Sequence, residues 1–421
     1  MYKNKPFIIE AEKAHKEGVI TYQKDGIIIF IQKTPSEKKC TIDLSHQYSL
    51  IRPTFDDLSK ALSSTANSPF YSDGKTLRQL FDEEYAKYEV AVEQASKTGN
   101  WEPDYGTYVF DYWSENLYLI APGFWHRLGL VTNNSKLLLD PDKKLTWQQV
   151  REVFDKAVIG FVGASVGGNI FEGVMREIRP KRAKVADYDW IEITNLNRLE
   201  RVSIQFLAAS KASRFDAREP FDVTRISKAE IAAYQQNMVD PYAAIYVYPD
   251  GIHGENIEQF LLGNSSEPKI DVLVEECDDF RLKVELRERC RKYNIPVLML
   301  SDFGHLVQGQ FQDFKNNINL PLGFNIADKE LYILLESALT SGKREDRFNF
   351  IKALCGNEFE KDEFGLWVQG AGEQPTSSLP QSGSTAMTSG GIGGKVIAMY
   401  LLGYKIPERF IYDLKNFSLD F

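Results

Sequence analysis

"AVIGFVGASVGGNIFEGVMREI", residues 157–178, decides the fold. It opens on an apolar run, passes through a cluster of glycines and ends in apolar residues at helical spacing. A continuous apolar run of this length predicts a strand buried on both faces of a parallel sheet. The cluster has two readings. Gly163-Ala164-Ser165-Val166-Gly167 fits G-x-S-x-G, the elbow that exposes a nucleophilic serine. Gly163 to Gly168 also fits a glycine-rich loop that admits a phosphate to the backbone.

The flanks enlarge the unit. Thr146-Trp147-Gln148-Gln149 is a capping-box pattern, so a helix is expected from there to about Asp155. After residue 178, "AKVADYD" predicts a second strand ending in Asp187 and Asp189. Asp187 lies about two dozen residues past the first glycine, where doubly wound folds place a ribose-binding carboxylate. Farther on, "SKAEIAAYQQNMV" predicts a helix and "AIYVYPDGI" a strand. "KIDVLVEECDDF" predicts a buried strand that ends in acids, "RLKVELRERCRKYN" a helix and "IPVLMLSDFGH" a further buried strand. Ligands of open α/β sheets sit beyond the carboxyl ends of the strands. Three such ends carry acids: Asp187 with Asp189, Asp278 with Asp279, and Asp302. The expected fold class is α/β, a doubly wound (Rossmann-like), mostly parallel sheet with helices on both faces, preceded by an N-terminal α+β domain.

The block after the second strand is less generic. G-x-x-x-G-G at Gly163–Gly168 is followed by "DYDWIEITNLNR" (187–198), "SKAE" (227–230) and "DVLVEECDD" (271–279). This series resembles the ThiF-like, ubiquitin-activating-enzyme-like adenylyltransferases, over roughly residues 145–310. The resemblance resumes at "SLPQSGSTAMTSGGIGGKVIAMYLLG". It is most like a bacterial subgroup of the ThiF, HesA and MoeB type. It implies an ATP site in which Gly163, Ser165, Gly167 and Gly168 face the triphosphate and Asp187, beside Asp189, holds the ribose. Asn195 and Arg198 touch phosphates, Lys228 neutralises developing charge and Asp278 binds magnesium. The implied substrate is the C-terminal carboxylate of a small ubiquitin-like or sulfur-carrier protein, or of a peptide, and the implied assembly is a homodimer. The chemistry suits those residue types without the family. Attack of a carboxylate on an α-phosphate brings an anion to a polyanion. Fixed cations and a hard divalent metal lower that barrier.

The pattern also departs from the family's. Ser165 and Val166 stand where such loops carry glycine. "FLAASKASRFDAREPF" (206–221) reads as an insertion between Arg198 and Lys228. Arg127 in "FWHRLG" is a weak match to an arginine that often comes from a partner subunit. Cys355 in "IKALCGNEFE" stands where some relatives accept an acyl group, though a core cysteine is the plainer expectation. His305 is read as a structural histidine.

Alternatives stay open on other grounds. A hydrolase using Ser165 needs a later histidine, and none follows His305. A dinucleotide-dependent oxidoreductase has no use for "NLNR". A descendant that binds nucleotide without adenylating fits the altered loop.

The bulk numbers set limits. A chain of 421 residues is long enough for two domains, and a net charge of -9 argues against non-specific nucleic-acid binding. No uncharged apolar stretch is long enough to span a membrane, and the N-terminal residues lack a signal-peptide core, so a cytoplasmic location is expected. Four scattered cysteines with no C-x-x-C pair predict no zinc site. Residues 1–144 are expected to form the N-terminal domain, with a hairpin about Lys24-Asp25-Gly26, a helix over 76–100 and aromatic strands near 107–120. A role in partner or substrate recognition is expected there. The ATP-binding domain is expected over 145–421.

Overall fold

The computed structural model describes residues 145–199, 226–356 and 382–420, positions 130, 202 and 206, and six strand segments nearer the N-terminus. The chain divides into two compact units, one comprising Lys3–Ser135 with Asn237–Tyr242, the other Lys136–Gln236 with Ala243–Phe421.

The described strands of the first unit are β1 (Phe7–Glu10), β2 (Val19–Lys24), β3 (Ile27–Gln32), β4 (Cys40–Leu44), β5 (Thr107–Asp111) and β6 (Asn116–Ile120). β2, β3 and β4 form one antiparallel sheet, and β1, β5 and β6 another. Lys24 pairs with Ile27, as the hairpin signal about Lys24-Asp25-Gly26 predicts. The helix expected over 76–100, Arg127 and most of the 206–221 insertion lie outside the described residues.

The second unit opens with α1 (Trp147–Lys156), whose capping box is formed: the Gln149 N–H donates to Thr146 Oγ1 at 3.2 Å, and the Thr146 N–H to Gln149 Oε1 at 2.7 Å. There follow β7 (Val158–Val162), α2 (Val166–Glu177), β8 (Arg182–Ala186), α3 (Lys228–Val239), β9 (Ala244–Tyr248), α4 (Ile257–Leu262), β10 (Val272–Glu275), α5 (Phe280–Lys292), β11 (Val297–Phe303) and β12 (Leu306–Gln312). Last come α6 (Asp328–Thr340), α7 (Arg344–Cys355), α8 (Gly383–Leu401), β13 (Arg409–Asp413) and β14 (Ser418–Asp420).

One sheet runs in the order β14-β13-β12-β11-β10-β7-β8-β9. β7 to β11 are mutually parallel, and β12 to β14 continue as an antiparallel meander. The expected α/β class is therefore what the chain adopts, with an antiparallel extension. From β7 the chain moves outward to β8 and β9, then returns to β10 on the other flank of β7. The strand order reverses between β7 and β10, which makes their carboxyl ends the switch point where such sheets bind ligands.

β7 shows why the core has two layers. All five of its residues are buried. Ile159 and Phe161 join a cluster with Phe154, Ile170 and Ile397, whereas Val158 and Val162 join one with Phe260, Leu286 and Phe350. Alternate side chains of a strand point to opposite faces, so one short segment anchors both layers. Burying each such side chain contributes about 1.5–3 kcal/mol. On one face α2 and α8 meet backbone to backbone: a Cβ at Gly173 would lie within 1.9 Å of the Gly390 carbonyl oxygen, so the glycines permit the approach. Among the described residues no helix is long and apolar enough to cross a membrane.

Candidate functional site

The glycine loop lies at the switch point because Gly163 lets it. Its φ is +92°, and a Cβ there would lie 2.5 Å from the Glu276 carbonyl oxygen. Only glycine combines that conformation with that approach. Neighbouring backbones are stitched together at this level. The Gly163 N–H donates to Ala186 O at 2.8 Å, and the Glu276 N–H to Val162 O at 2.8 Å. Gly167 packs as closely, a Cβ there being 3.1 Å from Glu276 Cβ, and Gly168 faces Leu199. The Glu276 carboxyl accepts from the Leu300 N–H at 2.5 Å, and burial pushes its pKa well up.

α2 begins at Val166, earlier than its apolar spacing suggests, and Ser165 is its N-cap. The Ser165 side chain makes no capping hydrogen bond. A helix N-terminus beside a strand end carries free N–H groups and a positive dipole, a combination that suits an anion. Replacing Ser165 with glycine costs no cap bond and widens the loop. The Ser165→Gly protein is expected to keep or raise ATP–pyrophosphate exchange; abolished exchange in that protein contradicts this role of the loop.

Asp187 follows β8 on the other side of the loop. Its Oδ2 accepts from the Ala164 N–H at 2.6 Å and its Oδ1 from the Asp189 N–H at 2.8 Å. Burial lifts the Asp187 pKa, against the pull of those N–H groups and of Lys228. The carboxylate therefore braces the loop, and each oxygen keeps a lone pair for a further donor such as a ribose hydroxyl. Asp189 is exposed and pairs with Lys228 Nζ at 3.1 Å, while the Lys228 N–H donates to Asp189 O at 2.6 Å. Lys228 is buried at the first turn of α3, so it is not a residue of a solvated face.

Asn195 and Arg198 come from a short 3-10 turn, Ile193–Asn195, and the residues after it. Asn195 is buried, and its Oδ1 accepts from the Glu192 N–H at 2.9 Å. That side-chain oxygen serves the turn. Arg198 is held at both ends: Asn169 Nδ2 of α2 donates to Arg198 O at 2.7 Å, and Arg198 NH1 donates to Thr194 O at 2.7 Å and to Asn197 Oδ1 at 3.2 Å. Its Nε is buried with no hydrogen-bond partner. Burial lowers the Arg198 pKa, and Asp278, Asp302 and Glu192 oppose the loss of its charge. An orphaned buried guanidinium N–H is costly, and an anionic ligand relieves it.

Asp278 is exposed past the end of β10, and Asp279 caps α5 by accepting from the Arg281 and Leu282 N–H groups at 2.8 and 3.0 Å. Among the described residues no group of three or more His, Cys, Asp or Glu side chains is arranged to hold a metal. Magnesium does not need one, because it is commonly bound by one or two carboxylates plus substrate phosphates. The exposed Asp278 carboxylate fits that pattern as a single hard ligand. His305 is exposed. Cys355 lies in the core, and burial pushes its thiol pKa up to about 11, far from a nucleophilic thiolate.

Sequence reasoning named the loop, Asp187, Arg198 and the strand-end acids. It missed Asn169, which holds the Arg198 backbone, and Glu276, which floors the loop. It also missed Ser389 of α8, whose hydroxyl donates to Asp302 Oδ1. All three stand in the quoted blocks, but nothing local marks these roles, since each acts on a residue distant in sequence.

No family model matches the chain. The uncharacterized protein MT1398 of Mycobacterium tuberculosis (strain CDC 1551 / Oshkosh) is 30% identical over 175 residues, which is 42% of this chain and 21% of that protein. The chain thus spans about a fifth of the length of that curated relative. Solved structures similar to the chain include PaaA, at TM-score 0.44 and 12% identity over 83% of this chain and 96% of that one. E. coli MccB with succinimide has TM-score 0.42 and 11% identity, covering 96% and 94%. E. coli tRNA N6-threonylcarbamoyladenosine dehydratase, TcdA, in complex with AMP, has TM-score 0.40 and 16% identity, covering 68% and 98%.

Proposed function

We propose that the crevice between β7 and β10 binds ATP and adenylates a carboxylate, in the manner of the ThiF-like adenylyltransferases that the sequence resembles. The observation that carries this is the pairing of a glycine loop at the switch point with Arg198, whose buried Nε has no protein partner. In this reading a carboxylate oxygen attacks the α-phosphorus, the bond to the bridging oxygen breaks, and pyrophosphate leaves. Arg198 and the N–H groups of α2 hold phosphate oxygens. Lys228, shared with Asp189, offsets negative charge as it builds. Asp278 would hold magnesium, which would supply further charge neutralisation. The substrate we propose is the C-terminus of a small ubiquitin-like or sulfur-carrier protein, or of a peptide, and the active assembly a homodimer. We assign recognition to residues 1–144 and adenylation to residues 145–421.

A second reading, nucleotide binding without adenylation, is favoured by Ser165 and Val166 in the loop and by the engagement of Lys228 with Asp189. Both readings require ATP to be preferred over a nicotinamide dinucleotide. Calorimetric titration with magnesium and ATP is expected to show saturable binding that NAD or NADP does not displace. Tighter binding of the dinucleotide would overturn both and leave the oxidoreductase.

A further inference from the structure

We infer that two copies of this chain pair through the exposed face of α6, the two helices running antiparallel about a two-fold axis. The helix has two distinct faces. Leu331, Leu335 and Ala338 are buried in the core layer that holds Phe260 and Phe350. Lys329, Tyr332, Ile333 and Glu336 stand at i, i+3, i+4 and i+7, which makes them one strip along the helix. These four residues line an open surface depression. Ile333 is 61% exposed, and Leu339, 41% exposed, continues the apolar row. Tyr332 is fixed as one wall, because its hydroxyl donates to Glu288 of α5.

A lone exposed isoleucine is ordinary on a protein surface. What selects a second copy is the order of the charges around it. The strip carries a cation at one end, an anion at the other and apolar side chains between them. A two-fold axis passing between Tyr332 and Ile333 sets Lys329 opposite the partner's Glu336 and Tyr332 opposite the partner's Ile333. Each contact then occurs twice, as in any isologous interface. Parallel pairing would set Lys329 against the partner's Lys329, so the charges also fix the direction. Both charges are available. Lys329 is exposed and has no ion-pair partner among the described residues. Glu336 meets Arg281 of α5 at 3.4 Å with both side chains well exposed, a contact weak enough to be shared. A pair of helices of 13 residues buries less than a standard interface, so the association is weak and concentration-dependent. No residue of α6 belongs to the proposed ATP site, and the pairing stands independently of that reading.

The test is sedimentation equilibrium of the full chain over a wide concentration range, on wild type, Ile333→Asp, Lys329→Glu, Glu336→Lys and the double reversal. Wild type is expected to associate reversibly to a dimer. Ile333→Asp is expected to weaken association about a hundredfold or more, since the covered side chain is changed twice per dimer. Each single reversal turns two attractions into two repulsions and is expected to weaken association about tenfold. The double reversal, and an equimolar mixture of the two single reversals, restore opposite charges at both ends and are expected to return to within about threefold of wild type. Glu336→Lys makes the net charge of -9 less negative yet is expected to weaken association, which separates this pairing from a general charge effect. Thermal melting checks folding, and the exposed position of Lys329, Ile333 and Glu336 predicts melting close to wild type. A monomeric wild type would mean that another partner or none covers the face, and would overturn the proposal. Association that Ile333→Asp leaves unchanged would overturn it as well, as would single reversals that neither mixing nor the double reversal rescues. A wild type that dimerises in this way but binds no ATP sinks the ATP-site reading alone, whereas a monomeric wild type that binds ATP sinks only the pairing.

Discussion

Arg198→Ala is expected to slow ATP–pyrophosphate exchange by about a hundred-fold or more, the range seen when one preorganised charge donor is removed from a reacting centre. The size follows from where the charge sits. Arg198 is fixed by Asn169 through its carbonyl and by Thr194 and Asn197 through NH1, so no reorganisation is needed when phosphate arrives. Its Nε is desolvated and unpaired, which strengthens any contact it makes. Lys228 is the weaker cation here because Asp189 already shares its charge at 3.1 Å. Arg198→Lys is expected to recover little, since a point charge does not reproduce the fork. Steady-state exchange at saturating ATP checks this; a loss under about threefold in the alanine variant would remove Arg198 from the site.

The second large effect concerns stability. Glu275 ends β10 next to the acid that floors the loop, and it is fully buried. Its carboxylate pairs with Lys283 Nζ at 2.7 Å and with Arg287 NH1 at 2.7 Å; the Arg287 side chain is also fully buried. Glu275→Gln leaves two cations against one neutral amide. Breaking such a buried pair costs about 3–5 kcal/mol, because the partner's charge stays behind unpaired. Denaturant titration is expected to show a midpoint shift of that size with an unchanged slope. The pH dependence has a definite sign. Burial alone would raise the Glu275 pKa, but Lys283 and Arg287 outweigh it and hold it below the usual value. A depressed carboxylate pKa stabilises the fold above the unfolded-state value near 4.3 and loses that contribution as pH falls through the lower folded value. The wild-type advantage over the variant is therefore expected to be full at pH 7 and to shrink below about pH 4.

Much of this was legible in the chain. The apolar run before Gly163, the glycine loop and the acids after three later strands are local signals, and β7, β8, β10 and β11 stand where those signals put them. The hairpin at Asp25-Gly26 was equally local. Strand order was not: no residue of β10 announces that it lies on the opposite flank of β7 from β8, although that reversal sets the switch point. Contacts across the fold were also hidden. Ser389 reaches Asp302 over 87 residues and Asn169 reaches Arg198 over 29. Asn195 illustrates a local ambiguity. Its position in N-L-N-R suggests a phosphate contact, and its side-chain oxygen also closes a turn. A short amide can satisfy backbone groups nearby, and spacing alone does not reveal whether it does.

The central claim is that this crevice activates a carboxylate with ATP. ATP–pyrophosphate exchange tests it most directly, run with a panel of small carrier-protein and peptide C-termini on wild type, Arg198→Ala and Asp278→Ala. The expected result is exchange that depends on one class of carboxylate and falls sharply in both variants. Exchange that survives both substitutions unchanged would contradict the claim, and ATP binding without exchange across the whole panel would replace it with a nucleotide-binding module.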